Sequence, residues 1–261
     1  MITYEKLGKN GRLGNQMFQY AMLLGIQEKL GYKIVFSENI DLELFKNFKI
    51  TECHFYSERD IHAPHEYVEE RFEFDRRIHK KISDHTNFFG YFQSEKYFQH
   101  CTDVVRKEYT FSDTIQQTAQ AFLAPFRQKQ LVSLHVRRTD YVNQPNHHPL
   151  CTSDYYKEAV NQFDISNTIF VIFSDDIQWC KEHLMLEGME VVFSENQGTF
   201  EDMCIMSLCD HNIIANSTFS WWGAWLNTNP SKKVIAPRVW FGPYYFNLNT
   251  KDLYCDTWIQ L

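Results

Sequence analysis

The sequence predicts an α/β chain built on parallel sheets, and three observations carry that reading. From residue 131 onward, short apolar runs alternate with helical patterns, as β-α-β units do. The first 37 residues repeat the theme as strand, glycine-containing loop, helix and strand. The chain has 261 residues, 44% of them hydrophobic, which is enough for two cores of ordinary size.

The elements follow in order. "ITYEKL" (2–7) is short and β-capable. "NQMFQYAMLLGIQEKL" (15–30) sets Met17, Phe18, Ala21, Met22, Gly25 and Ile26 along one helical face. Gly31 stops that helix, and "YKIVF" is the next strand. Residues 38–125 are aromatic and charged with weak periodicity, and read as mainly helical with long loops. Beyond them "LVSLHV", "TIFVIF", "EVVF", "HNIIA" and "KVIA" are strands. Between them "SDYYKEAVNQF", "IQWCKEHLM", "TFEDMCIMSLC" and "FSWWGAWL" are helices, the first with Ser153 as N-cap. Five strands alternating with four helices make a doubly wound, Rossmann-like domain. The division expected is 1–125 and 126–261.

Composition narrows the function. A net charge of −7 argues against a general nucleic-acid binder, which needs a basic field. The seven cysteines form no C-x-x-C pair, in keeping with a reduced, cytoplasmic setting. Met1 runs into "ITYEKLG" without the features of a signal peptide, and no apolar run is long enough to span a bilayer. In that setting the Asn216-Ser217-Thr218 triplet is a coincidental glycosylation pattern. Aromatic residues reach 16%, which serves core filling and also suits stacking against sugars.

Ligands of parallel sheets bind at the carboxyl ends of the strands, so those positions are read most closely. After "LVSLHV" come His135, Arg137, Arg138 and Asp140. Two guanidinium forks at a ligand edge suit a diphosphate, although Arg138 and Asp140 could also form a surface salt bridge. After "TIFVIF" come Asp175 and Asp176. They could hold a divalent ion, accept base or ribose hydrogen bonds, or cap the next helix. After "HNIIA", Asn216, Ser217, Thr218 and Ser220 crowd a helix start, more polar groups than one cap needs. In the first unit "GRLGNQ" matches neither common phosphate-loop pattern, but places glycines, Arg12 and Asn15 before a helix.

Taken in this order, "GRLGNQMFQYA", "FFGYFQSEKYF", "HVRRTDY", "FSDD" and "NSTFSWWGAWL" resemble the bacterial α-1,2-fucosyltransferases, glycosyltransferase family 11, related to the blood-group H enzymes. The resemblance covers residues 8 to about 240. It implies a GT-B-like fold of two Rossmann-like domains facing a cleft, with 1–125 on the acceptor side and 126–261 binding GDP-β-L-fucose. It implies inverting transfer of L-fucose to the 2-hydroxyl of a galactose, without a metal or other cofactor. By the same resemblance Arg137 holds the β-phosphate, His135 lies near the nucleotide, and Asp175 or Asp176 contacts guanine. Arg138 and Asn216 belong to the donor site, and Ser217, Thr218 and Ser220 bind diphosphate or ribose. Arg12 and Asn15 complete the site from the first domain, and Tyr91, Gln93 and Glu95 are acceptor-side candidates. Asp140 and Glu95 are the carboxylates available as catalytic base. The acceptor is a galactose-terminated glycan, and a lipid-linked one would bring peripheral membrane contact. Two readings stand beside this one: a metal-dependent transferase using the acidic pair, and a non-catalytic nucleotide or glycan binder. The His62/His65 and His147/His148 pairs lack further ligands at zinc spacing.

Overall fold

The computed structural model describes residues 1–184 and 186–261. The chain divides into two compact units, Met1–Ser112 with Leu248–Cys255, and Asp113–Asn247 with Asp256–Leu261.

The first unit runs β1 (Ile2–Thr3), α1 (Leu13–Leu30), β2 (Ile34–Ser37), α2 (Glu43–Asn47), β3 (Cys53–Tyr56), β4 (His65–Val68), α3 (Ile78–Lys81), β5 (Thr86–Phe89) and α4 (Thr102–Glu108). Its five strands are all parallel, in the order β3-β2-β1-β5-β4. Residues 38–125 therefore contain three strands where mainly helix was expected. The reason lies in their burial: β3 buries only Cys53 and β4 only Tyr67, so these outer strands carry no apolar run to reveal them. In α1 every residue from Met17 to Ile26 is buried, so the helix is covered beyond the single face expected. Gly25 permits this, because a Cβ there would lie 2.1 Å from the carbonyl of Tyr97.

The second unit runs α5 (Asp113–Leu123), β6 (Gln130–Val136), α6 (Thr139–Val142), α7 (Ser153–Val160), β7 (Thr168–Ser174), α8 (Ile177–His183), β8 (Glu190–Phe193), α9 (Thr199–Leu208), β9 (His211–Ile213), α10 (Thr218–Leu226), β10 (Val234–Ala236) and β11 (Ile259–Gln260). The sheet is parallel throughout, in the order β11-β10-β9-β6-β7-β8. This is the doubly wound arrangement expected, with β11 added at the edge. Met185, read as the end of the helix over 177–185, lies outside the described residues. The cap of α7 is Thr152, whose side chain accepts from the Tyr155 N–H, and not Ser153.

The units divide at Ser112/Asp113, ahead of the 125/126 boundary read from the sequence. The amphipathic α5 buries Ile115, Ala119 and Leu123 and packs against α9, which assigns it to the second unit. Residues 248–255 return to the first unit, where Asp252 accepts from Lys96 Nζ at 2.5 Å and from the Phe74 N–H at 3.2 Å. Trp221 and Trp222 are fully buried, so that pair fills core.

Candidate active site

In the second sheet strand order reverses between β6 and β9. Chain connections leave these neighbours in opposite directions, which opens a crevice at their carboxyl ends. His135, Arg137, Arg138 and Asp140 follow or end β6, and residues 214–220 follow β9. The rings of His135 and Phe219 lie 5.6 Å apart, joining the end of β6 to the first turn of α10.

Arginines and carboxylates interlock around this crevice. Arg137 pairs with Asp140, and its Nη1 lies 2.6 Å from Asp175. Its side chain is 14% exposed, so the pairs form largely out of water. Two of the guanidinium's five N–H donors face these carboxylates. Asp175 also accepts from the Arg138 backbone N–H at 2.9 Å and from the Thr139 hydroxyl. Arg138 contacts Asp176 at 3.3 Å and stacks over Trp179 at 3.6 Å. The pairing of Arg138 with Asp140 is thus replaced: Asp140 belongs to Arg137, and Arg138 to Asp176. Register explains the exchange, because β6 and β7 pair His135 with Phe173 and Val136 with Ser174, bringing "HVRRTD" beside "FSDD".

Asp176 caps α8, accepting from the Trp179 N–H at 3.2 Å. Among the described residues no group of three or more His, Cys, Asp or Glu gathers to hold a metal ion. His147 packs on Tyr244 and Tyr245, and His148 stacks on Tyr141 at 4.7 Å.

His135 is buried, and its Nδ1 has no partner among the described residues. Burial pushes its pKa down to about 4, against an upward pull from Asp175 and with a further push down from Arg137. It is therefore a neutral imidazole at pH 7. Ser217 caps α10 in extended conformation without using its side chain, and no acidic residue occupies the first turn. The helix end thus retains its positive field, and Thr218 begins the helix there. Two residues of this polar cluster serve the fold. The Asn216 amide donates to Pro149 at 2.8 Å and Trp240 at 3.1 Å, tying two loops together. The Ser220 hydroxyl is buried and donates to the carbonyl of Ser217 at 3.3 Å.

The first sheet reverses order between β1 and β5, and its two motifs meet there. Gly11, at φ +100°, shapes the loop into α1; a Cβ on it would fall 2.3 Å from the Asn15 side chain. The exposed Arg12 occupies the N-cap position. Asn15 accepts from Gln93 Nε2 at 3.0 Å. Gln19 bridges the carbonyls of Asn10 and Gly90 at 3.0 and 3.1 Å, and the Tyr4 hydroxyl donates to Gly90. Glu69 accepts from the backbone N–H groups of Tyr91 and Phe92 at 2.6 and 3.0 Å. Tyr91 is 39% exposed, while Gln93 is buried with its Oε1 unpartnered among the described residues. Glu95 starts the next turn and acts on Arg106, whose pKa burial lowers while Asp103, Cys255 and Glu95 oppose the fall. Sequence reasoning missed Thr139, Trp179, Tyr4, Gln19 and Glu69. Thr139 and Gln19 lie within the motifs "HVRRTDY" and "GRLGNQMFQYA"; the others act through contacts that no local spacing encodes.

Among the described residues no helix is long and apolar enough to cross a membrane. Residues 3–261 match the family model described as Glycosyl transferase family 11. An alpha-1,2-colitosyltransferase of Escherichia coli is 31% identical over 286 residues, covering 96% of each chain. Galactoside alpha-(1,2)-fucosyltransferase 1 of Homo sapiens is 28% identical over 274 residues, covering 92% of this chain and 73% of that protein. Among solved structures, POFUT1 in complex with GDP has a TM-score of 0.56 at 14% identity, covering 90% of this chain and 97% of that one. NodZ alpha-1,6-fucosyltransferase soaked with GDP-fucose also scores 0.56, at 13% identity, covering 86% and 91%. These structural likenesses agree with two Rossmann-like units of the GT-B type. From its first motif to its last strand, the chain belongs to glycosyl transferase family 11.

Proposed function

We propose that the chain is an inverting galactoside α-1,2-fucosyltransferase, moving L-fucose from GDP-β-L-fucose to the 2-hydroxyl of a terminal galactose. The observation that carries the reading is the Arg137–Asp175 interlock beside the bare N-terminus of α10, at the strand reversal of the second sheet. The E. coli colitosyltransferase and the human α-(1,2)-fucosyltransferase support an α-1,2 linkage. The likeness to fucosyltransferases solved with GDP and GDP-fucose supports a GDP-linked donor.

In the proposed reaction the acceptor oxygen attacks C1 of fucose as the C1–O bond to the β-phosphate breaks. The departing GDP gains negative charge while the sugar becomes oxocarbenium-like. Arg137 and the α10 amides take up that charge in place, without reorganising. Asp175 and Asp140 fix the guanidinium, and neutral His135 offers a hydrogen-bonding nitrogen to the nucleotide. Ser217 and Thr218 are proposed for the diphosphate or ribose, and Arg12 and Asn15 of the "GRLGNQ" loop are proposed as substrate-binding residues of the first unit. Because Asp140 is engaged by Arg137, its proposed role is to orient that side chain. The acceptor proton then passes late to a departing phosphate oxygen. No metal is required in this scheme, since arginine and helix dipole supply the positive charge.

The test is incubation of the purified protein with GDP-fucose and lactose, with and without EDTA, followed by linkage analysis. An α-1,2-fucosylated trisaccharide that forms in EDTA is the expected product. Activity abolished by EDTA would return the acidic pair to metal binding. A colitosyl donor is the second reading, favoured by the 31% identity to the colitosyltransferase. Colitose is fucose without its 3-hydroxyl, so parallel assays with the two GDP-sugars separate the readings by product mass.

A further inference from the structure

A second polar pocket lies wholly within the first unit, where the loop after β4, α3 and the returning residues 248–255 come together. Its volume is about 350 Å³, within the range of roughly 300–1,000 Å³ typical of small-molecule sites. Its charges divide into two groups. Lys81 is paired with Asp75 at 2.7 Å and Glu70 at 3.4 Å, and Asp252 with Lys96 at 2.5 Å. Two lysines thus offset two of these three carboxylates. Arg71, Arg76, Arg77 and Lys251 line the same pocket and make no ion pair among the described residues. Glu73 and one of the two carboxylates sharing Lys81 stand against them, which leaves an excess of positive charge in the pocket.

Four unmatched cations converging on one concavity are unusual in a chain whose net charge is −7. The protein's overall field repels anions, so a local excess of guanidinium is informative about what this concavity admits. Guanidinium forks match the oxygens of phosphate bidentately and hold their charge at every relevant pH. Tyr67, buried beneath and bonded to Asp75 at 3.0 Å, gives the pocket a firm wall.

The geometry points to a binding site for a phosphate or diphosphate group, separate from the donor crevice of the second unit and independent of which sugar is transferred. Such a group reaches the pocket either as a free phosphorylated molecule or on a lipid at a bilayer surface. In both cases arginine–phosphate contacts provide the recognition, and binding weakens with salt.

Calorimetry with inorganic pyrophosphate tests the site on the full chain, comparing wild type, Arg137→Ala, and a glutamine variant that adds Arg71→Gln, Arg76→Gln and Arg77→Gln to Arg137→Ala. The expected result is a pyrophosphate site that persists in Arg137→Ala and weakens at least about tenfold in the glutamine variant. Replacing the same three arginines by lysine keeps the charge but removes the bidentate forks, so affinity should fall between wild type and the glutamine variant. Flotation with vesicles of phosphatidylcholine, with and without phosphatidic acid, identifies the source. Recruitment by phosphatidic acid that the glutamine variant loses assigns a bilayer phosphate; binding of soluble pyrophosphate alone assigns a free ligand. Pyrophosphate affinity and vesicle recruitment both unchanged in the glutamine variant would overturn the proposal.

Discussion

The two strand reversals are built from different chemistry. In the second sheet the crevice is ionic: Arg137, Arg138, Asp140, Asp175 and Asp176 lock together beside a helix N-terminus. In the first sheet the corresponding place is built mainly from amides, hydroxyls and carbonyls, with Tyr4 and Gln19 bonded to Gly90 and, separately, Gln93 bonded to Asn15. A diphosphate needs fixed positive charge in a place partly shielded from water. A sugar hydroxyl needs neutral donors and acceptors at set positions. Equivalent positions in two similar sheets are thus specialised by side-chain type rather than by backbone path.

Removing Arg137 should separate the two regions most sharply. Arg137→Ala should lower transfer on the order of 10²-fold or more, while the first unit keeps its thermal stability. Near-normal turnover in a kinetic assay would sink its role. Asp175→Asn should come next, because it frees Arg137, the Arg138 backbone and Thr139 together. We expect a loss on the order of tenfold, about 1.4 kcal/mol in kcat/KM, with the larger part in kcat.

On the neutral side, Gln93→Leu breaks the bond to Asn15. It should raise the KM for the glycan several-fold and leave GDP affinity as it was; equal effects on both would remove the contrast between the regions. The pH responses should also oppose each other. Burial pushes Glu69 up to about 7, despite its two backbone N–H bonds. Its folded state binds the proton more tightly than the unfolded chain, so this contribution is present at pH 5 and lost as pH rises through 7. Burial holds His135 down at about 4, so its contribution is present above its ordinary value near 6.5 and lost as pH falls toward 4. Denaturant titrations should show Glu69→Gln flattening the first trend and His135→Gln the second. The smallest effect belongs to Arg138→Lys, which keeps the charge but weakens the stack on Trp179. It should cost about 0.5–1 kcal/mol in GDP binding, measured by calorimetry.

Legibility in the sequence followed burial. Strands β6 and β7 are almost wholly buried, and such continuous apolar runs announce a parallel sheet. Strands β3 and β4 bury one residue each, so "CHFY" and "HEYV" carried no such signal. The ionic site was legible because it is made by residues immediately after readable strands. Its pairing was not, since which arginine meets which carboxylate depends on the β6–β7 register. Asn216 and Ser220 stood in a polar cluster whose composition could not separate ligand contact from loop support. Glu69 reaches the loop after β5 from the neighbouring strand's end, a contact across twenty-two residues that no motif records.

If the ionic crevice seats GDP, affinity for GDP depends on Arg137 and not on a metal. We would measure GDP affinity by calorimetry in EDTA for wild type and Arg137→Ala. Binding by wild type without metal, weakened at least about tenfold by the substitution, is the predicted result. Equal affinity in the two proteins, or wild-type binding that vanishes in EDTA, would contradict it.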